Sequence, residues 1–457
     1  MADELEGHIN PVDAFTLNLE RDPLLRATIV AVAVFDRSPD WATLQDRMER
    51  ASRLTPRFRE KLVATPLGLA PPRWIVDPEF DLSMHLRRAR IPRKGGMPAV
   101  VEFARVAGMT AFDHDRALWE FTLLEGLPEK RAALVMKFHH ALTDGVGGVE
   151  MAAHVVDFAR EAPDPGPMPP APPASEHGST EALADTLGYR GRQLADAAGE
   201  LLRVVPGAVA RTLARPTETV TEGVETARAV ARFARPITRT LSPIMTERRP
   251  RRDCSTLDVP LDGLRDAAHG VGGTLNDAFL AGVAGGLRRY HEHHLAAVDH
   301  LCVCMPVNVR TADDGPGGNK VTLERFDLPV GVVDPRDRMR EIGRVCRELR
   351  RDPAMPYASA VAGVLNLLPV DVTAGMLKHV DILASNVPGF PDEAFVGGAL
   401  LESFHVFGAT LGSAANVTLM SYRDTCHIGI ITDSGAVVDH DVFRDCLAEG
   451  FAEVAAA

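Results

Sequence analysis

The chain has no long apolar stretch: ATIVAVAVF, Ala27 to Phe35, read as the longest apolar run, is nine residues counting its threonine. That is about half of what a membrane-spanning helix needs, so no spanning segment is expected. The first fifteen residues, MADELEGHINPVDAF, are acidic and lack an apolar centre, which argues against a secretory leader. Cysteine occurs as Cys254, Cys302, Cys304, Cys346, Cys426 and Cys446 but never as C-x-x-C. Reduced, mostly buried thiols are therefore expected in place of a disulfide framework. Positive charge is short as well. The formal net charge of -12 argues against a general nucleic-acid binder, which needs a basic footprint to neutralise phosphates. Lysine is scarce, with only Lys61, Lys94, Lys130, Lys137, Lys320 and Lys378, so arginine makes up the other 44 of 50 basic residues. That pattern fits a GC-rich genome better than any physical requirement. The chain also lacks a G-x-S-x-G nucleophile elbow and a G-x-x-x-x-G-K-[ST] phosphate loop, and its GVGG is no dinucleotide fingerprint.

What is present is an ordinary globular composition, 46% hydrophobic and 25% charged, in 457 residues. That length exceeds one compact core, so two domains plus connecting material are expected. Residues 1–160 alternate strand-like and helix-like patterns: ATIVAVAVF as a strand, Trp41 to Ser52 as a helix, Arg131 to Phe138 as a strand. After it, Met151, Val155, Phe158 and Ala159 fall at helical spacing. Residues 161–250 form a connecting region. Its first part, Ala162 to Thr180, is Pro-rich and polar and reads as an exposed linker. Its second part is helical in period, with Arg228, Arg232, Arg235 and Arg239 on one face before ERRPRR, Glu247 to Arg252. This is either a solvated face or a patch for anionic lipid or the phosphates of a cofactor tail.

From 251 to 457 the α/β alternation returns. Thr274-x-x-Asp277 opens a helix with a capping-box-like start, and Leu275, Phe279, Val283 and Leu287 share one face. Leu301 to Arg310 reads as a strand broken after Met305 by Pro306. NVTLMSY and CHIGIITD flank a polar turn as a hairpin of half-buried strands. Tyr290 to His294, YHEHH, is expected to be a solvated helix end, since its spacing misses H-E-x-x-H by one residue.

The chemistry concentrates in VMKFHHALTDGVGG, Val135 to Gly148, where an apolar strand runs into two histidines, an aspartate and a glycine-rich turn. An imidazole at a rigid strand end can exchange a proton near neutral pH. Asp144 can orient it or hold the loop, and Gly145, Gly147 and Gly148 permit a tight turn. Packing histidines, a metal site and a general base are the three readings. A metal lacks a supporting carboxylate cluster nearby.

HHALTDG, His139 to Gly145, matches the HHxxxDG signature of the CoA-dependent acyltransferase superfamily. Asn10 to Phe15, Pro56 to Leu62, Phe80 to Pro92, Thr274 to Tyr290, Ser385 to Gly389 and Phe407 to Tyr422 make the chain resemble the bacterial wax ester synthase/diacylglycerol acyltransferase family along nearly its whole length. The resemblance implies an α/β (α+β) fold of two chloramphenicol-acetyltransferase-like subdomains, each a mixed sheet with helices, with a tunnel between them. It implies His140 as general base. His139 and Asp144 would be structural, the latter paired with an arginine for which Arg57, Arg59 and Arg310 are candidates. Asn276 and Asp277 match the family's Asn-Asp pair, with an oxyanion-stabilising or site-shaping role for Asn276 as the expectation.

The implied reaction moves an acyl group from acyl-CoA, a co-substrate, to a hydrophobic hydroxyl acceptor, with no metal or prosthetic group and with peripheral contact to a lipid surface as an option. The same chemistry on a specialised hydroxyl compound, or a catalytically weak lipid-binding relative, stays open. Ala117-Leu118-Trp119 departs from the family's usual Pro-Leu-Trp, and Asn308 from its smaller polar residue, which loosens the acceptor assignment.

Overall fold

A computed structural model describes residues 7–66, 70–92, 94–142, 148, 152–174, 186, 188–189, 239–308, 321–350, 375 and 377–457. The first helix, α1 (Pro11–Leu19), starts where the Asn10 side chain accepts the Asp13 N–H at 2.8 Å. Strand β1 (Thr28–Phe35) follows, then α2 (Trp41–Leu54), capped by Asp40. A small hairpin, β2 (Glu60–Val63) and β3 (Arg73–Val76), leads to α3 (Leu82–His85), β4 (Leu86–Arg90), α4 (Gly96–Met109), β5 (Trp119–Glu125) and β6 (Ala132–His139).

The second half runs β7 (Arg252–Pro260), α5 (Leu261–Gly270), α6 (Leu275–His293), β8 (His300–Asn308), β9 (Val321–Pro329) and α7 (Pro335–Arg350). It ends with β10 (Ile382–Pro388), β11 (Phe395–Val396), β12 (Ala399–Phe407), β13 (Ala415–Tyr422), β14 (Thr425–Asp433) and α8 (His440–Ala455).

These strands form two six-stranded mixed sheets. The first has the order β11-β12-β1-β6-β5-β4 and the second β7-β14-β13-β10-β8-β9. Every residue of β1 is buried, because β1 lies between β12 and β6 and is covered on both faces. Val30, Val32 and Val34 pack toward Val100 and Ala104 of α4, while Ile29 and Ala31 face Val387, Val406 and Met420. In the second sheet α5, α6 and α8 cover one face, with Phe279, Val283, Leu287, Phe443 and Phe451 fully buried there. Strand β12 comes from the second half of the chain yet completes the first sheet. It crosses β14 so closely that a Cβ on Gly429 would stand 2.0 Å from Val406 O.

Several local expectations hold and several are corrected. The Thr274–Asp277 capping box is present in full. All six cysteines are free thiols. The hairpin forms, but β13 and β14 are almost wholly buried, because helices cover one face and β12 the other. Pro306 does not break β8. Strand β10 pairs with β8 only at Val303 and Cys304, so by Pro306 that neighbour is gone, and antiparallel pairing with β9 continues from His300 to Asn308.

The helix expected around Val155 and Phe158 is absent. Beyond Ala152 the chain turns, Asp157 bridges to Phe395, and Phe158 is 60% exposed. Of YHEHH, Tyr290 and His291 are buried and not solvated; the His291 ring meets Ser242 Oγ and Leu287 O, each at 2.8 Å.

In the Pro-rich stretch, Arg50 and Arg53 of α2 donate to the carbonyls of Gly166, Pro167 and Pro169, which holds it along that helix. Arg228, Arg232 and Arg235 lie outside the described residues. Arg248 and Arg252 belong to neither a solvated face nor a surface patch. Arg248 donates to Gly412 O and Val380 O, and Arg252 pairs with Asp433 at 2.7 Å.

Candidate active site

Strand β6 carries the two histidines to its end. The His139 N–H donates to Leu118 O at 3.0 Å and the His140 N–H to Ala27 O at 2.9 Å, so the neighbouring strands hold both backbones before a 3₁₀ turn begins at His140. Strand alternation then separates the two side chains. His139 shares its face with Lys137 and Val135, away from Phe138 and Met136, and is fully buried. Its Nδ1 accepts the Ala141 N–H at 2.9 Å, its Nε2 lies 3.0 Å from Glu20 Oε1, and Phe112 meets the ring edge-on. Accepting at Nδ1 places the neutral ring's proton on Nε2, toward the carboxylate.

Glu20 Oε1 also accepts the Ala27 N–H at 2.9 Å. Burial pushes the Glu20 carboxyl up, but the His139 ring beside it and the Ala27 N–H bring it below its ordinary value. Glu20 thus ties the start of β1 to the end of β6.

His140, half-buried, lines a chamber of about 380 Å³ between the two sheets. Ile29, Ala31, Met136 and Phe138 form one wall, Phe404 and Val406 of β12 another, and Leu383, Val387 and Met420 the third. The lining is mostly apolar. Its polar members are Ser385, Asn386, Asn416 and Thr418; the Asn416 amide donates to Ala409 O at 2.8 Å and its Oδ1 accepts the Thr418 hydroxyl at 2.7 Å.

Asn276 and Asp277 are not brought to this wall. Asp277 accepts from the Thr274 N–H at 2.8 Å as the helix cap, and the Asn276 amide sits 3.7 Å from Met305 Sδ. Asp144, Gly145 and Arg310 lie outside the described residues. Arg57 pairs with Glu60 at 3.0 Å, and Arg59 pairs with Glu49. Ala117 is buried before Trp119, whose indole donates to Phe58 O at 2.8 Å. Sequence reasoning missed Glu20, a lone carboxylate with no spacing relation to the histidines.

One cluster among the described residues has metal-ligand chemistry: Asp258, His405 and His427, with donor atoms all within 4.8 Å. Asp258 Oδ1 stands 2.9 Å from His405 Nε2 and 2.7 Å from His427 Nδ1. Ligands about 2.0–2.1 Å from a tetrahedral zinc would stand about 3.3 Å apart, so these are hydrogen-bond spacings. The outer ring nitrogens also lack the hydrogen-bond partners that orient ligating imidazoles. Burial pushes the Asp258 carboxyl up, and the two imidazoles pull it well below the carboxylate range. The cluster is a clasp between β12 and the second sheet.

Comparison with known proteins agrees with this geometry. The family model for the wax ester synthase/diacylglycerol acyltransferase catalytic domain matches residues 9–279, and the WS/DGAT C-terminal domain matches 317–455. A Mycobacterium tuberculosis protein carrying the provisional name diacylglycerol O-acyltransferase is 35% identical over 99% of this chain and 92% of its own. A second from that organism, with the same provisional name, is 30% identical over 94% and 93%.

Among solved structures, the wax ester synthase/diacylglycerol acyltransferase from Marinobacter aquaeolei superposes with a TM-score of 0.64, at 22% identity over 98% of each chain. The first condensation domain of the calcium-dependent antibiotic synthetase gives 0.66, at 16% identity over 98% and 96%. Two facing sheets with the HHxxxDG histidines at their junction, and domain matches across both halves, lead to one assignment: the chain belongs to the wax ester synthase/diacylglycerol acyltransferase family and is an acyltransferase.

Proposed function

We propose that the chain transfers a fatty acyl group from acyl-CoA to the hydroxyl of a long-chain alcohol or diacylglycerol, with His140 as general base. The observation that carries this is the place of His140, on the wall of an apolar chamber with its backbone N–H held by Ala27 O at the entry to β1. The imidazole takes the hydroxyl proton as the acceptor oxygen attacks the thioester carbonyl carbon. Collapse of the tetrahedral intermediate breaks the C–S bond, and the departing thiolate takes the proton back from His140. Such a base supplies typically about 10²–10⁴-fold, and holding both substrates in one chamber adds the gain of orientation. The thioester carries the driving force, so we assign no metal or prosthetic group.

His139, Asp144 and Gly145 are assigned to shaping the turn, and Asp277 to capping α6. Asn276 is assigned to packing on Met305, so Asn276→Ala should leave turnover within a few fold. Lipid acceptors reach the enzyme from a bilayer or droplet surface; no helix among the described residues is long and apolar enough to cross a membrane. A second reading, a more polar hydroxyl acceptor, is favoured by Ser385, Asn386, Asn416 and Thr418 in the lining.

The test is thiol release from palmitoyl-CoA with and without hexadecanol or diacylglycerol, for the native chain and His140→Ala. Acceptor-dependent release lost in the variant is expected. Release that survives in His140→Ala would remove the base assignment. Absence of release with both acceptors would count against a lipid hydroxyl. Lengthening the acceptor separates the two readings, because each buried methylene in an apolar chamber contributes about 0.8 kcal/mol.

A further inference from the structure

On the reverse face of β1 lies a second cavity, of about 330 Å³, between α4, the 250–254 run into β7 and the end of β12. Four arginines line it: Arg26, Arg105, Arg251 and Arg252. Two are committed, Arg105 to Glu102 and Arg252 to Asp433. Arg26 donates to Met109 O and makes no ion pair with a described carboxylate. The Arg251 side chain is 71% exposed, with Asp253 at 3.4 Å. Deeper in, Thr28 is 7% exposed and its hydroxyl has no hydrogen-bond partner among the described residues. A buried hydroxyl left this way costs free energy that a ligand group would recover.

The cavity borders the His140 chamber. Strand β1 begins at Thr28, β6 ends opposite it at His139, and β12 ends at Phe407, opposite Val30. Around these shared strand ends, Gly408 and Ala409 line both the cavity and the His140 chamber. Gly408 packs closely on the second sheet, where a Cβ would meet Asn416 Nδ2 at 2.7 Å and Thr418 Oγ1 at 2.9 Å, so a side chain at this shared edge would have to displace both.

We infer that this cavity receives the nucleotide end of the acyl donor: Arg26 and Arg251 bind the CoA phosphates, and the Thr28 hydroxyl bonds the arm that carries the thioester past Gly408 to His140. The inference rests on the acyl-CoA reading above. The charge favours the donor over the acceptor. A chain of net charge -12 repels a polyanion unless cations stand at the mouth, whereas an alcohol or diacylglycerol gains nothing from arginines. The guanidinium fork also matches phosphate oxygens in pairs.

The test compares the native chain with Arg26→Gln, which keeps a donor for Met109 O, and Arg251→Glu, a surface change. Direct binding of CoA is measured by calorimetry, and turnover is measured with palmitoyl-CoA and with S-palmitoyl-pantetheine, which has no phosphate. Each variant is expected to weaken CoA about tenfold or more and to raise the KM for palmitoyl-CoA, with loss confined to the phosphate-bearing donor and no change in acceptor KM. Unaltered CoA binding, or equal loss with S-palmitoyl-pantetheine, would overturn the inference. The two readings fail separately. CoA binding that depends on the arginines, without transfer from either thioester, would keep the site and remove the reaction. Transfer indifferent to both substitutions would keep the reaction and remove the site.

Discussion

Glu20 does at the residue level what the HHxxxDG motif does not reveal. Its carboxylate meets His139 on one side and the Ala27 N–H on the other, so the strand end carrying His140 is braced from behind. Glu20→Gln keeps the shape and removes the charge. It should lower kcat at least several-fold while leaving the KM for acyl-CoA near its native value, and it should destabilise by about 1–3 kcal/mol. The pH dependence follows from the sign of the shift. A carboxyl held below its ordinary 4.5 contributes stability that is complete above that value and is lost as pH falls through the lower folded value. Melts between pH 7 and pH 3 should therefore show a shallower acid decline in the variant.

His291 tests the same linkage with an imidazole. Burial pushes it below 6.5, so the unfolded chain binds the extra proton first and stability falls as pH drops below about 6.5. His291→Gln should flatten the melting-temperature curve between pH 7.5 and pH 5.5, and an unchanged slope would show that other groups set it.

At the scale of elements, α6 and α8 pack backbone against backbone. A Cβ on Gly450 would stand 2.4 Å from Gly282 O, and one on Gly286 2.6 Å from the Leu447 Cα. The backbones approach where neither helix has a side chain, and no flexible group is available to give way. Gly450→Ala should cost about 1–3 kcal/mol, measured by denaturant melts, although alanine is the better helix former in isolation.

Helix α6 itself was legible from Thr274, Asp277 and the spacing of Phe279, Val283 and Leu287, because capping and amphipathic burial are local. The segment after Ala152 was not legible. Its apolar residues fall at helical spacing, yet Asp157 takes its backbone partner from Phe395, far along the chain. Pro306 misled for the same reason: whether proline interrupts a strand depends on whether a neighbour needs its N–H.

At the scale of the whole molecule, β12 makes the two halves one unit. It is the neighbour of β1 on the side opposite β6, and it comes from residues 399–407. A fragment ending at residue 174 would leave β1, an entirely buried strand, as an exposed apolar edge. Such an edge pairs with other chains. Expressed alone, that fragment should aggregate, and a monomeric fragment with a cooperative melt would refute the account. The same crossing sets the function, since β12 closes the His140 chamber with Phe404 and Val406. Just past its end, Gly408 lines both that chamber and the arginine-lined cavity.

The sequence by itself determined what depends on short stretches of chain: the buried strand at Ala27 to Phe35, the capped helix at Thr274, the hairpin near the end, and the family through HHALTDG and its companion motifs. It carried two α/β halves in their alternating patterns, and the facing arrangement of those halves only through that resemblance. Tertiary structure decided what depends on residues brought together from afar. It set Glu20 behind His139, buried Arg252 against Asp433, threaded β12 into the first sheet, and left the Thr28 hydroxyl facing a second cavity. A side chain's pattern records which face is buried, but not which distant partner buries it.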